Sequence, residues 1–167
     1  MPIAIVAGSF DPPTVAHIDL IKRAYDLFGK VIVLVGINPS KNHPFIAPRE
    51  RVRLLQECFN PDLFSVYVQL WDGLTADFYK GNGRVLVRGL RTVSDFEAEM
   101  IQSHVNANLG LNTIFLPTTS ENSYVSSSVV RQLLQFGAKE EAMKYLPVPV
   151  QDYILKEDCL WNSLGKK

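Results

Sequence analysis

The chain has 167 residues, enough for one domain with a buried core, and 47% apolar against 20% charged residues excludes an intrinsically disordered protein. Lys and Arg number 17 and so do Asp and Glu, so no global field recruits nucleic acid or a membrane surface. Any anion site must be a local concentration of positive charge.

Ile3–Ala7 is a continuous apolar run of the kind found in strands buried on both faces, as is Val31–Ile37. Between them, Ile18, Ile21, Tyr25 and Phe28 recur at helical spacing, and Gly29 supplies a stop. The helix starts at His17 or just before it, with Thr14 placed to cap it and His17 at its third position. Pro48–Phe59 reads as a second helix. A third strand is predicted around Ser65–Leu70, a short helix over Thr75–Lys80, a fourth strand over Val85–Val87, a long helix over Ser94–Leu109 and a fifth strand over Thr113–Leu116. Ser94-x-x-Glu97 reads as a capping box for the long helix. From Ser128 the pattern is helical, broken at Gly137 and at Pro147–Pro149, with Ser128 or a serine just before it as the cap. This alternation predicts a single α/β domain over residues 1–167: a Rossmann-like, five-stranded parallel sheet, helices on both faces and a helical C-terminus.

In such sheets ligands sit beyond the carboxyl ends of the strands. The loops there carry Gly8-Ser9-Phe10-Asp11 with His17, Asn38-Pro39-Ser40-Lys41, Arg88-Gly89-Leu90-Arg91, and Asn122 to Ser128. A histidine, a lysine, two arginines and a serine cluster arriving at one rim point to a phosphate site. The chain has neither G-x-x-x-x-G-K-[ST] nor G-x-G-x-x-G between a strand and a helix, so phosphates must bind through helix N-termini and side chains. His43 reads as solvent-facing, and His104 as a packing residue in mid-helix. Cys58 and Cys159 are far apart and fit a reducing compartment. Nothing resembles a signal peptide or reaches membrane-spanning length, so the expectation is a cytoplasmic chain without a membrane partner. No His/Cys/Asp cluster stands at metal spacing, and the scattered aromatics make no stacking platform for nucleic acid.

GSFDPPTVAH, NPSK, RGLRTVSDFEAE and VSSSVVR together resemble the nucleotidyltransferases with T/H-x-G-H and S-S-S/T-x-x-R motifs, and RGLR with DFExE is particular to the phosphopantetheine adenylyltransferase family. The likeness runs from about Ile3 to Ile154. It implies transfer of the adenylyl group of ATP to 4′-phosphopantetheine, giving dephospho-coenzyme A and pyrophosphate. It also implies Mg2+ carried with the nucleotide, a homohexamer and feedback by coenzyme A. A phosphomonoester, with a second pKa of about 6, is mostly a dianion at neutral pH and needs no general base. Positioning and charge stabilisation then suffice for the chemistry.

By the same resemblance His17, Lys41, Arg88 and Arg91 are catalytic, with His17 donating to the α-phosphate and Lys41 and Arg88 taking the acceptor with Ser9 and Thr75. Ser9, Phe10, His17, Gly89, Leu90, Arg91, Glu99, Asn122, Ser123, Tyr124, Val125, Ser126, Ser127 and Ser128 fall to ATP. Asp95 and Glu99 share one helical face, so orientation of Arg91 competes with nucleotide contact as the role of Glu99. Ser9 stands for the usual threonine, Ala16 for a glycine and Asn122 for a tryptophan. An adenylyltransferase for nicotinamide mononucleotide or glycerol phosphate is the alternative, and a non-catalytic nucleotide-binding regulator is another.

Overall fold

Five apolar segments form one all-parallel sheet, with β1 (Ile3–Gly8), β2 (Val31–Gly36), β3 (Val66–Trp71), β4 (Arg84–Leu90) and β5 (Thr113–Pro117) in spatial order 3-2-1-4-5. The computed structural model describes residues 1–37, 43–78 and 83–156. The helices are α1 (Val15–Phe28), α2 (Pro48–Glu57), α3 (Thr75–Phe78), α4 (Val93–Asn108), α5 (Ser127–Gln135), α6 (Lys139–Lys144) and α7 (Val148–Lys156), with a 3₁₀ turn over Ser120–Asn122.

Strand pleating sorts the apolar residues onto two faces. Ala4, Val6, Val31, Val33, Val35, Val68 and Val87 meet Ile21 and Ala24 of α1 and Leu55 of α2 on one side. Ile5, Leu34, Leu86 and Leu111 make a smaller core on the other. A third cluster packs α5, α6 and α7 through Val130, Ala142, Leu146, Val150 and Ile154 onto Leu54 and Ile46. Gly29 ends α1 as expected, at φ +69°, a left-handed conformation that costs glycine little.

Three local expectations are corrected. β4 runs on through Arg88, Gly89 and Leu90 because β5 continues to pair with it, so these residues are strand and not loop. The cap of α4 is Thr92, whose hydroxyl accepts from Asp95 N–H at 3.1 Å, so Ser94 lies inside the helix and makes no capping box. His104 is exposed, because α4 turns it to solvent.

Among the described residues no helix is long and apolar enough to cross a membrane, and no group of three His, Cys, Asp or Glu side chains gathers as a metal site.

The core makes a direct test. Leu55, 0% exposed beneath the sheet, is expected to cost about 2–5 kcal/mol on replacement by alanine, read as a lowered urea midpoint. Leu27→Ala, on the 55% exposed outer face of α1, should stay within about 0.5 kcal/mol of the unaltered chain.

Candidate functional site

β1 hydrogen-bonds to β4 only through the pairs Ile3–Arg84, Ala4–Val85 and Ile5–Leu86. Beyond them the two strands part, while each stays paired to its outer neighbour, β2 or β5. The parting lies where the strand order reverses, which is where open α/β sheets place their ligands. It opens a cleft of about 330 Å³, walled by the ends of β1 and β4, one side of α1, the first turns of α4 and the start of α5.

His17 is held at the mouth of α1. Its Nδ1 accepts from Thr14 N–H at 3.0 Å, closing the capping box that Glu or Gln usually completes. A backbone N–H can only donate, so Nδ1 is unprotonated and the ring's proton sits on Nε2. The Phe10 ring meets the imidazole edge to face at 5.0 Å. Burial, then the Arg91 and Arg88 cations, push the His17 pKa down to about 4. The imidazole is therefore neutral at physiological pH, a donor through Nε2 and not a base in waiting. Of the N–H groups at this helix end, that of Val15 already donates to Tyr145 O at 2.9 Å, which leaves Ala16 N–H and the His17 ring as the principal donors.

Both arginines of RGLR meet a carboxylate, and Arg88 is held by three hydrogen bonds. Arg88 donates from Nη1 to Ala7 O at 2.8 Å, from Nε to Glu99 Oε2 at 2.8 Å, and from Nη2 to Glu99 Oε1. Arg91 pairs with Asp95 at 3.2 Å. Arg23 donates to Pro117 O at 2.6 Å and lies 3.7 Å from Asp19. All three arginines and all three carboxylates line the cleft. The rim is thus less basic than its arginines alone imply: Arg23, Arg88 and Arg91 each have a carboxylate beside them. Glu99 also orients Arg88, not Arg91 as its sequence position suggested.

Ser126 caps α5 by accepting from Val129 N–H at 3.2 Å. The Ser127 hydroxyl donates to Pro12 O at 2.8 Å, and the Ser128 hydroxyl accepts from Arg131 Nη2 at 3.2 Å. The serine hydroxyls thus serve the fold, and what this helix end offers a ligand is chiefly the N–H groups of its first turn and their dipole. Arg131 Nη1 also reaches Asp11 O at 2.5 Å, and buried Arg51 donates to Ser9 O at 2.5 Å. The Asp11 carboxylate takes Phe45 N–H at 3.0 Å and Ile46 N–H at 2.8 Å. Three segments, the Phe45–Ile46 backbone, α2 and α5, therefore grip residues 9–12 from different sides.

Of the residues expected at the site, Phe10, His17, Arg88, Gly89, Arg91, Glu99, Val125, Ser126, Ser127 and Ser128 line the cleft, as does Ala16. Lys41 lies outside the described residues. Ser9, Leu90, Asn122, Ser123 and Tyr124 are not on the cleft wall, and neither is Thr75 at the start of α3. Tyr124 packs edge to face on Tyr145, and Asn122 donates to Thr119 Oγ1 at 3.2 Å. Gly89 packs closely on α1: a Cβ there would stand 3.3 Å from Leu20 Cδ2, so the Leu20 side chain would have to shift by a few tenths of an ångström. Asp19, Arg23 and Thr118 were not anticipated. A signal existed for two of them, since Ala16, Asp19, Leu20 and Arg23 fall on one side of a helix that begins at the site.

His17 sets a pH dependence. The unfolded chain binds its proton near the ordinary 6.5, the folded chain only near 4. Stability from this group is therefore complete above pH 6.5 and is lost as the pH falls toward 4. Denaturation midpoints across that window should fall more steeply for the unaltered chain than for His17→Gln, and nitrogen NMR should show the Nε2–H form of His17 at neutral pH.

The cytidylyltransferase-like family model matches residues 5–133. The chain is 45% identical, over 81% of its length and 87% of the relative's, to the phosphopantetheine adenylyltransferase of Gloeothece citriformis (strain PCC 7424). It is 38% identical to the protein of that name from Clostridium novyi (strain NT), covering 99% of both chains. Among solved structures, Plasmodium falciparum nicotinic acid mononucleotide adenylyltransferase complexed with NaAD superposes with a TM-score of 0.68 over 96% of this chain and 97% of that one. The identity is 17%, so this likeness speaks for the fold alone. With relatives of that name matching along most or all of its length, the chain belongs to the cytidylyltransferase-like family and, within it, to the phosphopantetheine adenylyltransferases.

Proposed function

We propose that this chain, acting as one nucleotidyltransferase domain, transfers the adenylyl group of ATP to 4′-phosphopantetheine, releasing pyrophosphate and dephospho-coenzyme A. The observation that carries the reading is the neutral His17, proton on Nε2, between two pre-oriented arginines and a second helix N-terminus. That arrangement suits a reaction in which a phosphate dianion attacks a phosphate. The acceptor needs no base, so the site's work is alignment and stabilisation of charge as it gathers on the transferred phosphorus and the departing pyrophosphate.

In this reading His17 Nε2–H donates to the α-phosphate, Arg91 and the first-turn N–H groups of α5 take the polyphosphate, and Arg88 with Lys41 takes the acceptor. Among the described residues of the cleft, Asp19, Asp95 and Glu99 each lie beside an arginine and do not gather as a cation cage. The ion would arrive on the nucleotide, held by phosphate oxygens and water, and no step here is assigned to it. Ser9, Leu90, Thr75 and Asn122 to Tyr124 would join the site only through bound substrate.

A homohexamer and feedback by coenzyme A in the cytoplasm complete the proposal. For assembly the support is α4, where Val93, Ile101, Val105 and Leu109 are 78%, 70%, 49% and 56% exposed while Asp95, Glu99 and Ser103 face inward. A helix with its apolar residues outside is built to be covered.

Incubation with ATP, magnesium and each candidate acceptor should yield pyrophosphate with phosphopantetheine; turnover of nicotinamide mononucleotide instead would overturn the reading. His17→Ala is expected to lower kcat at least 100-fold with ATP affinity within a few-fold. Replacing Ile101 and Val105 by glutamate should reduce the assembled mass in analytical ultracentrifugation.

A further inference from the structure

Phe10 is a strained residue at the edge of the site. Its φ is +49°, in the left-handed region that a bulky L residue rarely adopts. The ring lies against Gly8, which leaves it room: a Cβ on Gly8 would stand 3.3 Å from two atoms of that ring. From this buried place the ring meets the His17 imidazole edge to face at 5.0 Å. Backbone strain of this kind persists only where the surrounding contacts over-determine the conformation.

The carbonyl groups of the residues on either side of Phe10 are each held by a guanidinium. Arg51 Nη1 donates to Ser9 O at 2.5 Å, and Arg131 Nη1 donates to Asp11 O at 2.5 Å. Asp11 is tethered again through its carboxylate by Phe45 and Ile46 N–H, so the grip is redundant on that side. On the Ser9 side it is Arg51. That side chain comes from α2, is 4% exposed, and its buried Nε finds no hydrogen-bond partner among the described residues. A guanidinium desolvated this far and left part unsatisfied weakens a fold. The physical reason for a cation here is the carbonyl it holds.

We infer that Arg51 is a positioning residue for His17: by holding Ser9 O it keeps Phe10 in its left-handed conformation, and the Phe10 ring in turn fixes the imidazole. Thr14 anchors that imidazole at Nδ1, and the edge-to-face contact steadies the rest of the ring so that Nε2–H stays aimed into the cleft. The task of His17 rests on the proposed reaction, whereas the relay from Arg51 through Ser9 and Phe10 is independent of it.

The test combines kinetics with a direct readout of the two rings, on full-length protein whose folding is checked by thermal melting. In Arg51→Met, which removes the donors and keeps most of the length, kcat should fall about tenfold or more while the Kd for ATP stays within about threefold. The nuclear Overhauser effect between the Phe10 and His17 rings should disappear. Arg51→Lys, which can still donate to Ser9 O, should recover part of kcat and retain the ring contact. In a Phe10→Gly background the ring is gone and a left-handed backbone needs no restraint, so Arg51→Met should lower kcat no further. Leu54→Ala, also buried on α2, should lower the melting temperature with kcat within about twofold and the ring contact intact. If Arg51→Met does not fold, Arg51→Gln, shorter and neutral, takes its place in each comparison.

A loss of kcat that persists undiminished in the Phe10→Gly background would overturn the inference, and so would a Phe10–His17 contact unchanged in Arg51→Met. An equal loss of kcat in Leu54→Ala would reduce Arg51 to general support of α2 and overturn it as well. Absence of phosphopantetheine turnover in the unaltered chain would instead overturn the acceptor assignment, and the ring contact would still decide Arg51.

Discussion

The separation of β1 from β4 is the constraint on which the site depends. Where the two strands are paired, at Ile3 to Ile5, their side chains fill the core; where they part, their ends form the walls of a cleft. A buried sheet cannot be opened freely, because carbonyl groups released from the ladder need new partners. Arg88 supplies one to Ala7, and Glu99 in turn gives Arg88 a counter-charge. The polar groups that make the opening tolerable are the same groups that line the cleft.

Electrostatics in the cleft follow from the same economy of partners. Each arginine carries a carboxylate, so the free site avoids the repulsion of bare cations and keeps its N–H groups aimed. His17 stays neutral because burial and the nearby arginines disfavour a further positive charge, and its tautomer is fixed by Thr14 N–H. Such a site presents oriented dipoles and donors with little net charge. That is the arrangement expected to stabilise charge developing in a transition state with little reorganisation.

The segment Ser9–Pro12 transmits order from the scaffold to the site. Arg51 from α2, the Phe45–Ile46 backbone, and Ser127 and Arg131 from α5 all bond to it. Through these bonds the positions of His17 and of the α5 N-terminus are linked, although 110 residues of sequence separate His17 from Ser127. The arginine of the S-S-S-x-x-R motif therefore helps to hold two cleft-facing helix ends in register.

Much of this was legible in the residues alone. Continuous β-branched runs alternating with 3.6-residue periodicity fixed the order and parallel sense of strands and helices, because those patterns depend only on which faces must be buried. Thr14 three residues before His17 placed the histidine in the first turn of α1, and the places of RGLR at the carboxyl end of the fourth strand and of VSSS beyond the fifth brought them to the same rim. What tertiary structure alone decided was partnership. Glu99 on Arg88, Asp95 on Arg91, the extension of β4 through Leu90, and the diversion of serine hydroxyls to Pro12 and Arg131 all depend on contacts between segments brought together by folding. Local periodicity tells a side chain which face it occupies; only the folded neighbour determines the charge or carbonyl it meets there.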